Sequence, residues 1–587
     1  VPETQGSGLR LASAPKGYTG EQHKSRPPAE TVAWARERFQ ALGGGVLKET
    51  RRIDTGRLDI PVYISLCGPA ASSLTGAYKQ MGKGASPVQA EASALMELAE
   101  RYSFFSFVDQ RRPLLTPAQA QALGPVMPFE QIMRSLHHPE KGRQEAKRAF
   151  RLLPQRWVWA ANLAAGRDEL VPLDWFYAIN EYNGPAAGNR LEEAVLQSLC
   201  EVVERHVSAV ATHDAPATPA LDPASVDDPV ARELLAKYRA AGVEVVLKDY
   251  TLGLGIPSVA ALCWDPATFP HASEIVYTAG TATSPAQALI RALTEVAQLA
   301  GDFQTGSAYE VSALPKFASL EEARAVSRSE STAALADLPD VSAPDLHDEV
   351  AACVAALDQR GYAVYSLAVT HPRLGIPAVY TIIPGAHFAE RTRETDCLFH
   401  AAKLASQLPD PAQAGRVLAE MAKVGGESYY LPFFQALALI NLERPAEALE
   451  LLDRALGLGP PPGDEASIHT QRGVALKDLG RFQEAKAPLW TAASYPEPHA
   501  EVFNLLGFCH YKLGEHEEAI EAFSRAVELD PGQAINYANI GSNLRELGRV
   551  EEACEMYRHA LELDPGLGFA RDNLARLGRG PGGKGQS

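Results

Sequence analysis

A period of 34 residues in its last third constrains this 587-residue chain more than any other feature. Gly473, Gly507 and Gly541 stand 34 apart, as do Gly480, Gly514 and Gly548, and again Ala485, Ala519 and Ala553. Pro531 and Pro565 close successive units with the same Leu-Asp-Pro-Gly ending. An earlier unit, RPAEALELLDRAL from Arg444, joins the series once the Pro-rich stretch Pro460–Gly463 is taken as an insertion. Such a period means one supersecondary unit repeated, each copy burying its apolar face against its neighbours. Small residues at fixed offsets let two helices approach closely, and Pro ends the second helix because it cannot continue the hydrogen-bond ladder. Stacked antiparallel helix pairs are predicted.

The pattern resembles tetratricopeptide (TPR) repeats, clearly over about 430–578, with a degenerate helical unit over 396–428. The resemblance implies an all-α superhelix over 396–578 whose concave groove takes a protein or peptide partner. The competing roles are stabilising the rest of the chain or making a homodimer. Residues 579–587 are low-complexity and expected to be disordered, and residues 1–19 are expected to be a flexible N-terminus.

Composition excludes several classes. With 55 Lys and Arg against 72 Asp and Glu, the net charge of −17 repels phosphate backbones, so nucleic acid is not the main target. No stretch reaches the 18 or so apolar residues of a membrane span, and Val1–Gly8 does not read as a signal. Seven cysteines, none in a Cys-x-x-Cys pair, read as reduced thiols of a cytoplasmic protein and not as a zinc site or disulfide frame.

The first 390 residues repeat an acidic helix three times: SPVQAEASALMELAERY, NRLEEAVLQSLCEVVERH and SPAQALIRALTEVAQ. Ser93, Glu97, Glu100 and Arg101 of the first recur 104 residues later as Gln197, Glu201, Glu204 and Arg205; the third offers Arg291, Glu295 and Gln298. Spacings of three and four put these groups on one helical face. The first and third helices open Ser-Pro-x-Gln, a capping box with Pro in the first turn. In the second, Asn189, Glu193, Gln197, Glu201, Glu204 and Arg205 span an arc of about 160°, opposite Val195, Leu199, Val202 and Val203. A solvated face usually mixes Lys with Glu for i,i+4 support. Here no Lys intervenes, so the glutamates repel unless a cation joins them. Clustered carboxylates without Cys or His suit a hard cation, Mg²⁺ above all, and the arginines suit phosphates. The stretch GAYKQMGKG (76–84) is no P-loop, having one spacer residue too many and Gly where Ser or Thr should stand. No Ser-His-Asp or Gly-x-Ser-x-Gly arrangement appears, and His206 reads as a helix-end side chain, not a base.

Residues GKGASPVQAEASALMELAERYSFF, NGPAAGNRLEEAVLQSLCEVVERH and RALTEVAQ resemble the YcaO family over about 20–392, enzymes that use ATP to activate peptide backbone amides. The resemblance implies that Glu97, Glu100, Glu193, Glu201, Glu204 and Glu295 are Mg²⁺ ligands or their orienting neighbours. It also implies that Lys24, Thr31, Ser93, Asn189, Gln197, Arg205 and Arg291 contact ATP. Its implied chemistry is phosphorylation of an amide oxygen attacked by a nucleophile, then loss of phosphate to give an azoline or a thioamide. Heterocycle-forming members tend to end in a Pro-rich tail; this chain ends in Gly-Gln-Ser, which favours thioamidation. The implied partners are a peptide or protein substrate and a sulfur-donor or TfuA-like protein. Alternatives are an accessory role in methylthiolation of a ribosomal protein and a non-catalytic ATP-binding TPR scaffold.

The rest of this region predicts an α/β (α+β) body with internally repeated strand and helix units. The runs GVEVVLKDYTLGLGIPSVAALCW and GYAVYSLAVTHPRLGIPAVYTIIPG share Leu-Gly-Ile-Pro at 254 and 374, and each reads as strand, turn, strand. The Ala-, Ser-, Asp- and Pro-rich stretch 313–345 reads as a loop-and-helix connection.

Overall fold

The computed structural model describes residues 6–136, 142–180, 182–214, 216–303, 317–388, 396–496 and 498–577. The chain forms two compact units, Val1–Lys141 with Pro154–Asp396, and Gly142–Leu153 with Cys397–Ser587. The tail 579–587 and residues 1–5 lie outside the described residues.

The first unit mixes sheets and helices. Leu47–Arg52, Val62–Cys67 and Lys79–Lys83 make an antiparallel sheet with Lys79–Lys83 at one edge. A five-stranded sheet runs in the order Val276–Thr281, Ser258–Trp264, Glu244–Asp249, Ala220–Leu221, Thr332–Ala333. A third sheet joins Leu114–Leu115, Gln155–Asn162, Tyr365–Ala368, Ala378–Ile382 and Pro185–Ala187, with Arg167–Pro172 paired to Gln155–Asn162. The two Leu-Gly-Ile-Pro echoes are antiparallel hairpins, one in each of the larger sheets. Within 317–345 the chain forms the helix Leu320–Ser327, the short strand Thr332–Ala333 and a turn of 3₁₀-helix.

Four helices position the site: α1 Pro28–Gln40, α2 Pro87–Val108, α3 Leu191–Asp214 and α4 Pro285–Ala300. Three of them follow a strand, Lys79–Lys83 leading to α2, Pro185–Ala187 to α3 and Val276–Thr281 to α4. At each junction a glycine lies against the helix backbone. A Cβ would fall 2.0 Å from Ala94 N at Gly82, 2.5 Å from Ala194 N at Gly188 and 2.5 Å from Ala292 N at Gly280. No side chain fits such gaps, so these junctions demand glycine. The expected capping boxes are half made. Ser284 Oγ accepts the Gln287 amide, whereas Ser86 caps nothing and Gln89 instead accepts the Ala85 amide at 3.0 Å.

The N-terminal arm, expected to be flexible, is tethered by hydrogen bonds over its described part. Ser7 donates its amide and hydroxyl to Asp168 at 3.1 and 2.8 Å, Ala12 N donates to Glu192 at 2.7 Å, and Ala14 N donates to Asp345 at 2.8 Å. Leu9 and Ala14 are buried. The arm is held by carboxylates far along the chain, which its own letters do not reveal.

The second unit is helical, running from Cys397–Ser406 to Gly568–Leu577. Its glycines are slots: Gly473, Gly507 and Gly541 face Leu489, Phe523 and Tyr557, each sixteen residues on. Helix Arg143–Leu152, inserted in the sequence of the first unit, packs here on Cys397–Ser406 and Pro411–Val424. Its apolar face is Ala146, Ala149 and Phe150.

Candidate functional site

Lys24, Thr31, Ser93, Glu97, Glu100, Asn189, Glu193, Gln197, Glu201, Glu204, Arg205, Arg291 and Glu295 line a single cavity of about 390 Å³ in the first unit. Helical period explains the gathering. On α2 and α3 the polar residues recur every three or four positions, while Leu95, Leu98 and Ala99, and Val195, Leu199, Val202 and Val203, are buried. A solvated face is excluded, because Glu100, Glu193 and Glu204 are themselves buried at 5%, 4% and 7% exposure.

The carboxylates divide into held and unheld groups. Glu193, expected among the metal ligands, has both oxygens taken. Oε1 accepts the Asn189 amide and side-chain nitrogen at 3.2 and 3.0 Å, and Oε2 accepts the Ser25 amide and hydroxyl at 3.0 and 2.8 Å. Lys24 Nζ stands 3.8 Å away, and Thr31 Oγ1 donates to Asn189 Oδ1 at 2.9 Å. These bonds tie α1, the segment before it and the start of α3 together. Glu204 Oε2 accepts from the Thr281 amide at 2.9 Å and from Arg291 at 3.1 Å; Arg291 also donates to Gln197 at 3.0 Å. Glu97 accepts from Arg101 at 3.0 Å, and Lys83 pairs with Glu295. Glu100 Oε1 is buried and has no hydrogen-bond partner among the described residues, and neither has Arg205 Nε.

Charge crowding shows in the titrating groups. Burial pushes the Glu100 carboxyl well above the usual range, Glu97 adds to this and Arg101 opposes it. Burial raises Glu201 as well, against the pull of Arg205 and Arg101. Burial, with Arg291 beside it, brings the Lys83 ammonium down to about 8.

These features fit Mg²⁺ with a polyphosphate. The donors are hard oxygens; Glu100 Oε1, 3.4 Å from Arg101 Nε, accepts no hydrogen bond among the described residues, and Arg205 Nε donates none. Among the described residues no three His, Cys, Asp or Glu already converge on a metal position. Mg²⁺ commonly takes one or two carboxylates together with phosphate oxygens and not a complete protein cage.

Sequence reasoning missed Gln22, Arg26, Lys79, Lys83 and Gln89 on the cavity wall. Lys79 and Lys83 belong to a strand, so the helical template could not find them; the only available signal was the Gly-Lys-Gly at 82–84. His206 is not at a helix end. It is buried mid-helix, its Nδ1 accepting the His387 amide at 3.0 Å, because α3 runs on to Asp214.

A family model described as "YcaO cyclodehydratase, ATP- and Mg²⁺-binding" matches residues 81–387, and two tetratricopeptide-repeat models match 500–533 and 534–567. An uncharacterized protein of Methanothermobacter thermautotrophicus is 28% identical over 380 residues, 61% of this chain and 93% of that protein. An "uncharacterized protein in tfuA 3′ region" of Rhizobium leguminosarum bv. trifolii is 25% identical over 315 residues, 50% of this chain and 70% of that protein. Among solved structures, a heterocyclase in complex with substrate and cofactor shares the fold, with a TM-score of 0.50 and 23% identity over 65% of this chain. The match spans 54%, about half, of that heterocyclase. With the family match covering more than half its length, the chain belongs to the YcaO family, whose domain binds ATP and Mg²⁺, and carries TPR repeats after it.

Proposed function

We propose that this chain activates a backbone amide of a peptide or protein: sulfide adds to the amide carbonyl carbon, the oxygen takes the γ-phosphoryl group of ATP with release of ADP, and it leaves as inorganic phosphate, giving a thioamide. The observation that carries the reading is the single cavity in which carboxylates and arginines of α2, α3 and α4 face one another. In this reading Glu97, Glu100, Glu201, Glu204 and Glu295 supply oxygens toward Mg²⁺, and Glu193 is a positioning residue, since its lone pairs already hold Asn189 and Ser25. Arg205, Arg291, Lys24 and Lys83 meet phosphate charge; Asn189, Gln197, Thr31 and Ser93 orient the nucleotide.

ATP bound with Mg²⁺ supplies the phosphoryl group that turns an amide oxygen from a poor into a good leaving group. The chain holds the triphosphate in a partly buried site, where fixed cations act more strongly than in water. The Rhizobium relative from the tfuA 3′ region supports the thioamide outcome and a TfuA-like partner; a sulfur-donor protein is the other partner this chemistry would take. The repeats support recruitment of a protein partner. All seven cysteines are free thiols, as in a reducing cytoplasm, and among the described residues no helix is long and apolar enough to cross a membrane.

Mass spectrometry of a candidate peptide incubated with the chain, ATP, Mg²⁺ and a sulfide source tests the reading. A gain of about 16 mass units marks oxygen replaced by sulfur, and a loss of about 18 marks cyclodehydration. ATP binding without peptide-dependent turnover would favour the scaffold reading instead.

A further inference from the structure

One buried ion pair lies outside the chemistry just described. Lys16 Nζ stands 2.7 Å from Glu349 Oε1, and the two side chains are only 6% and 0% exposed. Glu349 is on the helix Leu346–Asp358, and the same oxygen accepts from Thr283 Oγ1 at 2.7 Å and Ala343 N at 3.1 Å. A buried charge that loses its partner is costly, so this contact fixes the segment carrying Lys16.

That segment closes on itself immediately after Lys16. Gly17 N and Tyr18 N both donate to Lys24 O at 3.0 Å, and Lys24 N donates back to Tyr18 O at 2.9 Å. His23 Nδ1 lies 3.0 Å from Lys16 Nζ. A Cβ on Gly17 would fall 2.4 Å from Ser25 O, so the two limbs touch backbone to backbone. The far limb ends on α3, where Ser25 bonds Glu193 and Lys24 enters the cavity wall. The route from Glu349 to Lys24 therefore runs through the ion pair, beside which the Lys16 amide donates to Pro344 O at 3.0 Å, and through three backbone bonds between the limbs.

We infer that Lys16 and Glu349 are positioning residues that hold Lys24 at the nucleotide through the clip Lys16–Ser25. The inference rests on reading the cavity as a nucleotide site. A lysine on a flexible four-carbon stem gives most to binding when its backbone is already fixed, because less freedom is lost on contact. Through Thr283, the residue before the Ser284 cap, the same carboxylate also sets the start of α4.

A double-mutant cycle read by calorimetry, with Mg²⁺ and a non-hydrolysable ATP analogue, tests this on the full chain. Lys16→Met should weaken analogue binding about tenfold in the wild-type background and less than about twofold once Lys24→Met is present. Lys16→Arg, which keeps the charge, should retain most of the affinity. Amide exchange should quicken over residues 16–25 in Lys16→Met while α2 and α3 stay protected. If Lys16→Met does not fold, Gly17→Ala carries the same test, since it parts the limbs without removing a charge. Additive losses, or exchange that quickens throughout the first unit, would overturn the positioning role and leave the nucleotide reading intact. Failure of the unaltered chain to bind the analogue would overturn that reading, and this inference with it.

Discussion

Arg291 on α4 donates to Glu204 on α3 at 3.1 Å, and the same carboxylate oxygen takes the Thr281 amide at 2.9 Å. One atom therefore joins two site helices to the strand that leads into the second. Glu201, one turn earlier on α3, has no such duty among the described residues: it lines the cavity, and burial disfavours its charge. Structural and ligand-binding roles should separate between these neighbours.

Glu204→Gln should cost about 2 kcal/mol of stability, as expected for loss of a charged hydrogen-bond acceptor in a buried network, and should also weaken nucleotide binding. Glu201→Gln and Glu97→Gln preserve shape and relieve repulsion, so their unfolding midpoints should stay within a few degrees of wild type. Their affinity for the Mg²⁺–ATP pair should nevertheless fall about 10–100-fold. Calorimetry and thermal unfolding of the three variants check both halves. Unchanged affinity in Glu201→Gln and Glu97→Gln would remove the metal assignment.

Binding should also move protons. In the free site burial raises the Glu100 and Glu201 carboxyls, so each holds its proton to higher pH than a solvated glutamate. A cation requires the ionised form, so Mg²⁺–ATP binding should release protons, and apparent affinity should rise with pH until these carboxyls are ionised in the free protein. Calorimetry in buffers of different ionisation enthalpy measures the release. Glu100→Gln should reduce it, and proton uptake on binding would contradict the sign.

The glutamate faces were legible because a helix repeats every 3.6 residues, so letters alone placed Glu97 beside Glu100 and Glu201 beside Glu204. The hairpins at Leu-Gly-Ile-Pro were legible for the equivalent reason in strands. What stayed hidden depends on long-range pairing. Nothing near Lys16 announces Glu349, 333 residues later, and nothing in RQEAKRAFRL says that Phe150 serves the repeats and not the first unit. Glu193 looked like its fellow glutamates; only the donors around it show that its oxygens are already used.

The helix Arg143–Leu152 carries a practical consequence. A chain ended at residue 396 keeps this helix but removes Cys397–Ser406 and Pro411–Val424, exposing Ala146, Ala149 and Phe150. Burying an aromatic of this size stabilises by roughly 2–3 kcal/mol, so the bare face should promote self-association. Phe150→Ser in the shortened chain should restore a monodisperse species by light scattering and leave nucleotide binding in place, because no cavity residue lies beyond 396. A monodisperse but binding-dead shortened chain would contradict this division of labour.

The glycine slots of the repeats should rank by available space. A Cβ at Gly473 would meet Leu489 at 2.4 Å, at Gly507 the Phe523 ring at 2.8 Å, and at Gly541 the Ala553 carbonyl and Tyr557 ring at 3.2 Å. Overpacking of this kind costs about 1–3 kcal/mol, so Gly473→Ala and Gly507→Ala should lower the unfolding midpoint of the repeats more than Gly541→Ala. Equal effects at all three would mean that neighbouring side chains yield freely.

Nine of the seventeen net negative charges lie beyond residue 395, so the repeats present an acidic surface to a partner. Long-range attraction then favours a basic or neutral protein, and exposed charge contacts weaken as salt shortens the Debye length, from about 10 Å at 0.1 M to about 3 Å at 1 M. Capture on the immobilised full chain, followed by affinity measurement across that salt range, should recover a basic protein or peptide whose dissociation constant rises with salt. Soluble repeats, prepared with the Gly142–Leu153 segment that completes their packing, should compete for the same ligand. Recovery of the chain itself and nothing else would make the repeats a self-association surface. A ligand whose affinity ignores salt would place the contact on exposed apolar side chains, such as Leu529 and Leu563, and not on the acidic surface.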